Sequence, residues 1–119
     1  MSGESRRIDA YDFGTITIGG RIFRNDVIIY PDRITDWWRK QGHLVQVEDL
    51  TEILAAKPDV LLIGTGYYGS MRISNEAGRI CSEKEVKLIA RPTPDAWKLH
   101  NKLTDDDGTT VLTALHLTC

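Results

Sequence analysis

A glycine-rich turn directly after an apolar run is the part of this sequence with the clearest chemical potential. Gly64, Gly66 and Gly69 fit the spacing G-x-G-x-x-G, and residues 60–63 (Val-Leu-Leu-Ile) lead straight into it. In dinucleotide-binding proteins this layout brings main-chain N–H groups close to a pyrophosphate. The first question is therefore whether the turn binds a nucleotide.

The dinucleotide interpretation makes two further demands that this sequence does not meet. A helix should begin at the third glycine, and an acidic residue should end the next strand to bind a ribose. Here residues 70–73 have the character of a loop, and the next predicted helix begins only near Ser74. The next predicted strand, residues 86–90, ends in Arg91 and Pro92 instead of an acid. Arg91 could face a 2′-phosphate, but the late helix still argues against a dinucleotide site.

Two simpler interpretations of the turn remain open. The glycines could merely let the backbone leave a central strand sharply. Alternatively, the N–H groups of residues 65–68 form a nest that binds an anion or a carbonyl. Ligands of parallel sheets usually bind in the crevice at the carboxyl ends of the strands, where this turn and the start of the next helix would meet. The candidate ligand-binding residues are Gly64, Thr65, Gly66, Tyr67, Thr93 and Asn101.

No other group of residues predicts catalysis, a metal or a cofactor. Cys81 is expected to be a buried thiol on an apolar helix face, and Cys119 an exposed one. The histidines lack metal-ligand spacing, and His116 is expected to be a core histidine with satisfied nitrogens. Ser70 does not lie in a nucleophile elbow. Residues 105–107 (three Asp) are interpreted as a solvated turn and not as a calcium loop.

Composition narrows the class of protein. The chain has 119 residues, 41% hydrophobic and 27% charged, which fits one globular domain. With a net charge of −2 and no basic block, nucleic-acid binding is not expected. Its apolar runs are too short to span a membrane, and no signal peptide is apparent. Two widely spaced cysteines fit a reducing compartment, so a cytoplasmic location is expected.

The first half of the chain is predicted to form an antiparallel meander followed by a short helix. Residues 1–10 are expected to be a loose arm, and residues 11–119 a single domain. Strands are expected on both sides of Gly19 and Gly20 and again at residues 27–30. Asp49 and Glu52 have capping-box spacing, which predicts a helix that begins with Asp49 as its N-cap and ends near residue 56.

The second half alternates helices and strands, which predicts parallel strands with right-handed crossovers. Strands are expected at residues 60–63, 86–90 and 110–117, the last apolar on both faces and therefore central. A helix is expected over residues 74–85. Another begins at Thr93, as N-cap, with Pro94 in its first turn. The expected fold class is α/β, with a partly parallel central sheet and an N-terminal antiparallel hairpin.

Several of these segments together resemble the MTH938-like family, a domain of unknown function that also includes mitochondrial complex I assembly factor 3. The resemblance covers about residues 10–117. It rests on a tryptophan after the hairpin (Trp37 or Trp38), on His43 and Leu44, on P-x-x-L-x-I-G-T-G at residues 58–66, and on Thr93, Ala96, Asn101 and Leu103. His100 replaces the family's usual tyrosine, and Thr109 replaces its arginine after the last turn.

The resemblance implies a compact α/β domain without an established enzymatic activity, and it suggests two functions. The first is a non-catalytic binding or assembly protein that acts through protein contacts, with another protein or a second copy as partner. The second is a protein, with or without catalytic activity, that binds a small anionic ligand between the Gly64 turn and the helix that contains Thr93 and Asn101. No cofactor is expected for either.

Overall fold

The fold is known from a computed structural model that describes residues 6–105 and 108–119. It contains ten strands: β1 (Ile8–Asp12), β2 (Thr15–Ile18), β3 (Arg21–Phe23), β4 (Val27–Ile29), β5 (Ile34–Asp36), β6 (Leu44–Val45), β7 (Val60–Thr65), β8 (Arg72–Ile73), β9 (Lys87–Arg91) and β10 (Val111–His116). Its helices are a 3₁₀ turn (Val47–Leu50) followed directly by α1 (Thr51–Ala55), then α2 (Asn75–Glu83) and α3 (Thr93–Thr104).

A five-stranded mixed sheet forms the centre of the domain, in the order β5-β4-β10-β7-β9. β10 pairs parallel with β7, and β7 pairs parallel with β9, whereas β4 is antiparallel to both β10 and β5. The prediction that the last strand is central is confirmed. So is the α/β class, with a partly parallel sheet whose strands alternate with helices in the second half of the chain.

Both faces of the central sheet are covered, and this explains why β7 and β10 are buried along their whole length and are mostly apolar. Leu61 and Ile63 of β7 face one core, which packs against α1 and α2. Leu62 faces a second core, shared with α3 and with the three-stranded antiparallel sheet β1-β2-β3. The alternation of side chains along β7 therefore joins the two cores through one strand.

Two predictions for the N-terminal third are wrong. The loose arm does not extend to residue 10, because β1 begins at Ile8, whose side chain is buried against the second core. The single meander is in fact divided: β1, β2 and β3 form their own sheet, whereas β4 belongs to the central sheet and pairs with β10. Pairing with a distant strand does not show in a local pattern of residues.

The helix starts also differ in detail from the prediction. The capping box lies one turn earlier than expected: the Asp49 carboxylate accepts from the N–H of Gln46 at 2.8 Å, so Asp49 caps the 3₁₀ turn as its third residue. Ser74 does cap α2, accepting from the N–H of Ala77 at 3.0 Å. The N-cap of α3 is Pro92, and Thr93 is its first helical residue.

Both cysteines are free thiols: Cys81 is buried, as predicted, and Cys119 is exposed. Burial raises the pKa of the Cys81 thiol, which fits an inert core residue. Within the described ranges, no helix has the length and apolar character that crossing a bilayer requires. Of the expected solvated turn at 105–107, residues 106 and 107 lie outside the described part of the chain.

Candidate functional site

The glycine turn follows β7, and its geometry is not that of a dinucleotide-binding turn. β7 ends at Thr65, Gly66 has a φ of +100°, and no helix follows the third glycine. The chain instead enters the short strand β8 and begins α2 only at Asn75. The N–H groups of the turn therefore do not continue into a helix N-terminus, which the pyrophosphate of a dinucleotide requires.

Thr93 joins this turn to the start of α3. Its hydroxyl accepts a hydrogen bond from the N–H of Gly66 at 2.9 Å and donates to the main-chain oxygen of His116 at 2.7 Å. Its own N–H donates to the oxygen of Gly66 at 2.9 Å. Thr93 thus ties the ends of β7 and β10 to α3. The expected proximity of the turn and this helix is present, but the Thr93 side chain caps the strands and not its own helix.

The space between the turn and α3 is filled by the protein itself. A Cβ added at Gly64 would come within 2.7 Å of the Leu115 side chain and 2.8 Å of the Thr93 hydroxyl oxygen. Thr65 is buried and its hydroxyl donates to the oxygen of Arg91 at 3.2 Å. The expected crevice is therefore closed at Gly64, Thr65 and Thr93.

Asn101 lies two turns farther along α3 and binds the chain's own N-terminal strand. Its side-chain Nδ2 donates to the oxygen of Ile8 at 2.8 Å, and its Oδ1 accepts from the N–H of Ile8 at 2.9 Å. Both polar ends of the amide are used in this pairing. Asn101 therefore anchors β1 to α3, and the structure does not bring it together with the glycine turn.

Residues 117–119 run over the turn and occupy the nest that the sequence predicts. The N–H of Tyr67 donates to the main-chain oxygen of Thr118 at 2.8 Å. At Gly66, an added Cβ would lie 2.7 Å from that same oxygen and 3.3 Å from the carbonyl carbon of Cys119. The predicted carbonyl acceptor is thus present, and it belongs to the same chain. Gly66 is needed both for its positive φ and for this close approach.

A buried polar cluster lies beneath this segment, and sequence analysis did not identify it. The Asp26 carboxylate lies 2.8 Å from His116 Nδ1 and accepts from Arg39 Nη2 and from the N–H of Leu117, each at 2.8 Å. Burial by itself would raise the pKa of Asp26, but the hydrogen bonds from His116, the Leu117 N–H and Arg39 hold it below the usual value. Asp26 is therefore an ionised carboxylate that links Arg39 to the end of β10.

Arg39 is the buried cation of this cluster, with a side chain that is only 5% exposed. Its guanidinium lies 4.5 Å from the ring centroid of Trp37 and also donates to the oxygen of Gly42 at 3.1 Å. Among the described residues, Arg39 Nε and Nη1 have no hydrogen-bond acceptor. The aromatic face and the Asp26 carboxylate together compensate the charge.

Two histidines converge on one oxygen at the end of this segment. His43 Nε2 and His116 Nε2 each lie 2.8 Å from the main-chain oxygen of Cys119. Their ring centroids are 6.0 Å apart at an interplanar angle of 72°. The prediction that His116 is a buried and satisfied histidine is confirmed. His43 is exposed, and the sequence shows no spacing that would pair it with His116.

Four aromatic rings pack together beside the turn; we call Tyr11, Phe13, Tyr67 and Tyr68 the aromatic cluster. The ring centroids of Tyr67 and Tyr68 are 5.1 Å apart, those of Phe13 and Tyr67 5.7 Å, and those of Tyr11 and Tyr67 6.3 Å. Burial, with a smaller effect of Tyr67, raises the pKa of Tyr11 to about 12. Its phenol therefore stays protonated and donates to the oxygen of Leu117 at 2.8 Å.

Clefts elsewhere on the surface are distinct from the turn. One, of about 790 Å³, lies at the opposite end of β7 beside Pro58 and Asp59. Another, of about 370 Å³, is lined by Asp26, Trp38 and Thr118 and adjoins residues 117–119. Within residues 6–105 and 108–119, no three His, Cys, Asp or Glu side chains are placed to hold a metal ion.

Comparisons with known proteins identify the family. Residues 8–116 match the family described as protein of unknown function (DUF498/DUF598). A conserved hypothetical protein from Pyrococcus horikoshii OT3 is 31% identical, with a TM-score of 0.85 over 94% of this chain and 98% of that one. The structure named MT938 is 27% identical, with a TM-score of 0.80 over 97% and 100% of the two chains.

A Mth938-like domain from Bordetella pertussis shares the fold at 22% identity, with a TM-score of 0.75 over 94% of this chain and 85% of that one. No curated protein matches the sequence significantly. The family match spans nearly the whole chain, and the expected resemblance is confirmed. This chain therefore belongs to the MTH938-like family, whose function is unknown.

Proposed function

We propose that this protein is a non-catalytic protein-binding module and that the aromatic cluster is part of its binding surface. The observation that carries the proposal is that Phe13 is 47% and Tyr68 71% exposed, although both rings pack against Tyr67. Packed rings hold defined positions, while their outer faces remain free to contact a partner. Exposed aromatic groups are typical of protein interfaces, in which Tyr and Trp contribute much of the binding energy.

A second exposed aromatic residue, Trp38, also lies near Thr118. It is 85% exposed, and with Asp26 and Thr118 it lines the 370 Å³ cleft. Thr118 also accepts from the N–H of Tyr67, so the cleft and the aromatic cluster adjoin the same short segment. Aromatic side chains flanking a polar cleft are a combination that fits a protein partner.

The environments of Cys81 and His100 support a non-catalytic role. Cys81 is buried and its pKa is raised by burial. His100 is also buried, with its two ring nitrogens 2.7 Å from Thr113 Oγ1 and 2.8 Å from the oxygen of Arg6. A role in assembling other proteins fits the family resemblance, and the two free thiols fit a cytoplasmic setting.

Affinity capture from the native organism, followed by mass spectrometry, tests the proposal. The bait is the intact chain, compared with the double variant Phe13→Ser, Tyr68→Ser. Ile22→Ser is the matched control, because Ile22 is 57% exposed but lies on β3, outside the aromatic cluster. We expect a partner to be recovered with the intact chain and with the control, and at least tenfold less with the double variant. Equal recovery with all three baits, or no partner with the intact chain, would contradict the proposal.

A further inference from the structure

Residues 117–119 are held through their main chain. At the first of them, the N–H of Leu117 donates to Asp26, and the oxygen of Leu117 accepts from the N–H of Gly14 and the Tyr11 hydroxyl, each at 2.8 Å. The Leu117 side chain is 1% exposed within the second core. Leu117 is therefore part of the folded domain and fixes where the following residues begin.

Thr118 and Cys119 are held differently, by three nitrogen atoms that lie within hydrogen-bond distance of two successive main-chain oxygens. The N–H of Tyr67 binds the oxygen of Thr118, and His43 and His116 bind the oxygen of Cys119. Thr118 is only partly buried and Cys119 is exposed. The binding atoms of these two residues are thus common to every peptide, whatever its side chains.

We propose that the Tyr67 N–H, His43 and His116 form a carbonyl-binding site for an extended peptide segment of a partner protein, and that Thr118 and Cys119 occupy this site until the partner displaces them. The inference rests on the proposed protein-binding function and specifies what the surface recognises. Main-chain hydrogen bonds give affinity in such sites, and flanking pockets give specificity.

The turn is shaped for a passing main chain. The missing side chain at Gly66 leaves room for the oxygen of Thr118 and the carbonyl carbon of Cys119, which would lie 2.7 and 3.3 Å from an added Cβ. The Tyr67 N–H bonds to this path, and Trp38 lines a cleft that also includes Thr118. An incoming peptide therefore has a main-chain track with aromatic residues beside it.

Two of the three contacting groups, His116 and the Tyr67 N–H, are positioned by bonds to the rest of the domain. His116 Nδ1 lies 2.8 Å from the Asp26 carboxylate, which Arg39 holds in turn at 2.8 Å. The Tyr67 N–H is oriented by the turn itself, through the bonds of Gly66 to Thr93. A site whose donors are already oriented binds more tightly, because little order is lost on binding.

Displacement involves a small and local opening. It breaks the three hydrogen bonds to Thr118 and Cys119, while Leu117 stays in the core. Segments with few buried contacts open locally without global unfolding. The site is therefore accessible to a competing peptide in the folded protein.

Peptide binding to purified protein tests this site directly. The probe is acetyl-Ala-Thr-Ser-Ala, prepared once as the amide and once with a free carboxylate. ¹⁵N NMR follows the Tyr67 N–H and the imidazole nitrogens in the intact chain and in a chain shortened to end at Leu117. In the shortened chain we expect saturable shifts with a Kd of about 1 mM or tighter. The intact chain should bind at least fivefold more weakly, because its own residues compete.

Variants of the shortened chain identify the donors. His43→Ala should weaken binding at least fivefold, whereas Lys40→Ala, an exposed change nearby, should leave it unchanged. Binding of either form of the peptide supports the site, and the stronger form shows whether a carboxylate or an internal carbonyl is preferred. A folded shortened chain that binds neither peptide overturns the proposal, even if affinity capture recovers a cluster-dependent partner.

Hydrogen exchange in the intact chain provides a second test that does not require the shortened chain to fold. If Thr118 and Cys119 open locally, the Tyr67 amide should exchange at least 100-fold faster than the Leu62 amide inside β7. Equal exchange rates for the two amides would show that the site opens only on global unfolding, and would overturn the proposal.

Discussion

The main-chain oxygen of Thr118 lies so close to Gly66 that a Cβ at this position would come within 2.7 Å of it. A side chain at Gly66 must therefore push residues 118 and 119 away from the turn, in addition to adopting a φ of +100°. The glycine at position 66, the second of the G-x-G-x-x-G pattern, is thus explained by a contact within the chain, without any bound nucleotide.

Gly66→Ala is expected to lower the free energy of unfolding by about 2–4 kcal/mol, because the strained φ and the clash add. Urea denaturation measures the change. Gly78→Ala is the control: it lies inside α2 with open space around it and should stabilise by about 0.5–1 kcal/mol. If the Gly66→Ala protein is as stable as the parent, residues 118 and 119 can move away from the turn without a loss of stability, and the prediction is wrong.

His100 should make stability depend on pH. Burial lowers its pKa from 6.5 to about 4, so the unfolded chain binds the proton more readily. The contribution of neutral His100 is fully present above the unfolded pKa and decreases as the pH falls from 6.5 towards 4. The loss over this window should be about 3 kcal/mol. In the variant His100→Gln, the free energy of unfolding should depend less on pH between 6.5 and 4, as measured by urea denaturation at each pH. His43 and His116 are present in both proteins. An unchanged dependence on pH would therefore refute the role of His100.

Asn101→Ala should release β1. The change removes both hydrogen bonds to the main chain of Ile8 and leaves a buried N–H and carbonyl unpaired, which should cost about 2–4 kcal/mol. Hydrogen exchange of the Ile8 amide should accelerate more than exchange in β7. Lys102→Ala, at the exposed neighbouring position, should affect neither quantity. Unchanged protection of Ile8 would mean that β2 alone holds β1.

Asp26→Asn should lower the free energy of unfolding far more than Asp32→Asn does. Asp26 pairs with Arg39, whose side chain is 5% exposed, so the variant leaves a buried cation uncompensated. The expected loss is about 3–5 kcal/mol. Asp32 pairs with Arg33 in water, where the loss should be about 0–1 kcal/mol. Thermal and urea unfolding compare the two, and equal effects would indicate that Trp37 alone stabilises the guanidinium.

Lys57 and Glu85 follow α1 and α2 with φ angles of +52° and +59°, in the left-handed region that favours glycine. Lys57→Gly and Glu85→Gly should therefore each stabilise the protein by about 0.5–1 kcal/mol. Ala56→Gly, one residue before Lys57 and with a φ of −78°, should not stabilise it. Urea denaturation measures the free energy of unfolding of each variant. An equal gain in stability from Ala56→Gly and Lys57→Gly would exclude backbone strain as the cause.

Local patterns predicted much of the fold because the periodicity of apolar residues and the position of turn residues depend on only a few neighbouring positions in the chain. The apolar run before Gly64 predicted a central strand, and Ser74 marked the start of α2. Contacts between distant residues left no such signal: nothing in the sequence links Ile8 to Asn101, or Asp26 to His116, 90 positions away. Thr93 shows the same limit, because a threonine before a proline indicates a helix cap, yet its hydroxyl binds two strand ends.

The six candidate site residues do not all come together: Thr93 contacts the glycine turn, whereas Asn101 contacts Ile8. A nest at residues 65–68 for an anion or a carbonyl was one of two interpretations of the turn, and the Tyr67 N–H does bind a carbonyl. That this carbonyl belongs to Thr118 depends on the path of the chain after β10. Such a path follows from tertiary packing around Leu117, which no short pattern of residues encodes.

The position of β10 in the sheet has a consequence for the order in which the chain can fold. β4 and β5 form one half of the sheet, β7 and β9 the other, and β10 alone joins them. During synthesis, the ribosome must therefore release residues 111–116 before the two halves can close on each other. Until then β7 and β4 each present a strand edge with unpaired main-chain N–H and C=O groups, and such an edge favours pairing with other chains.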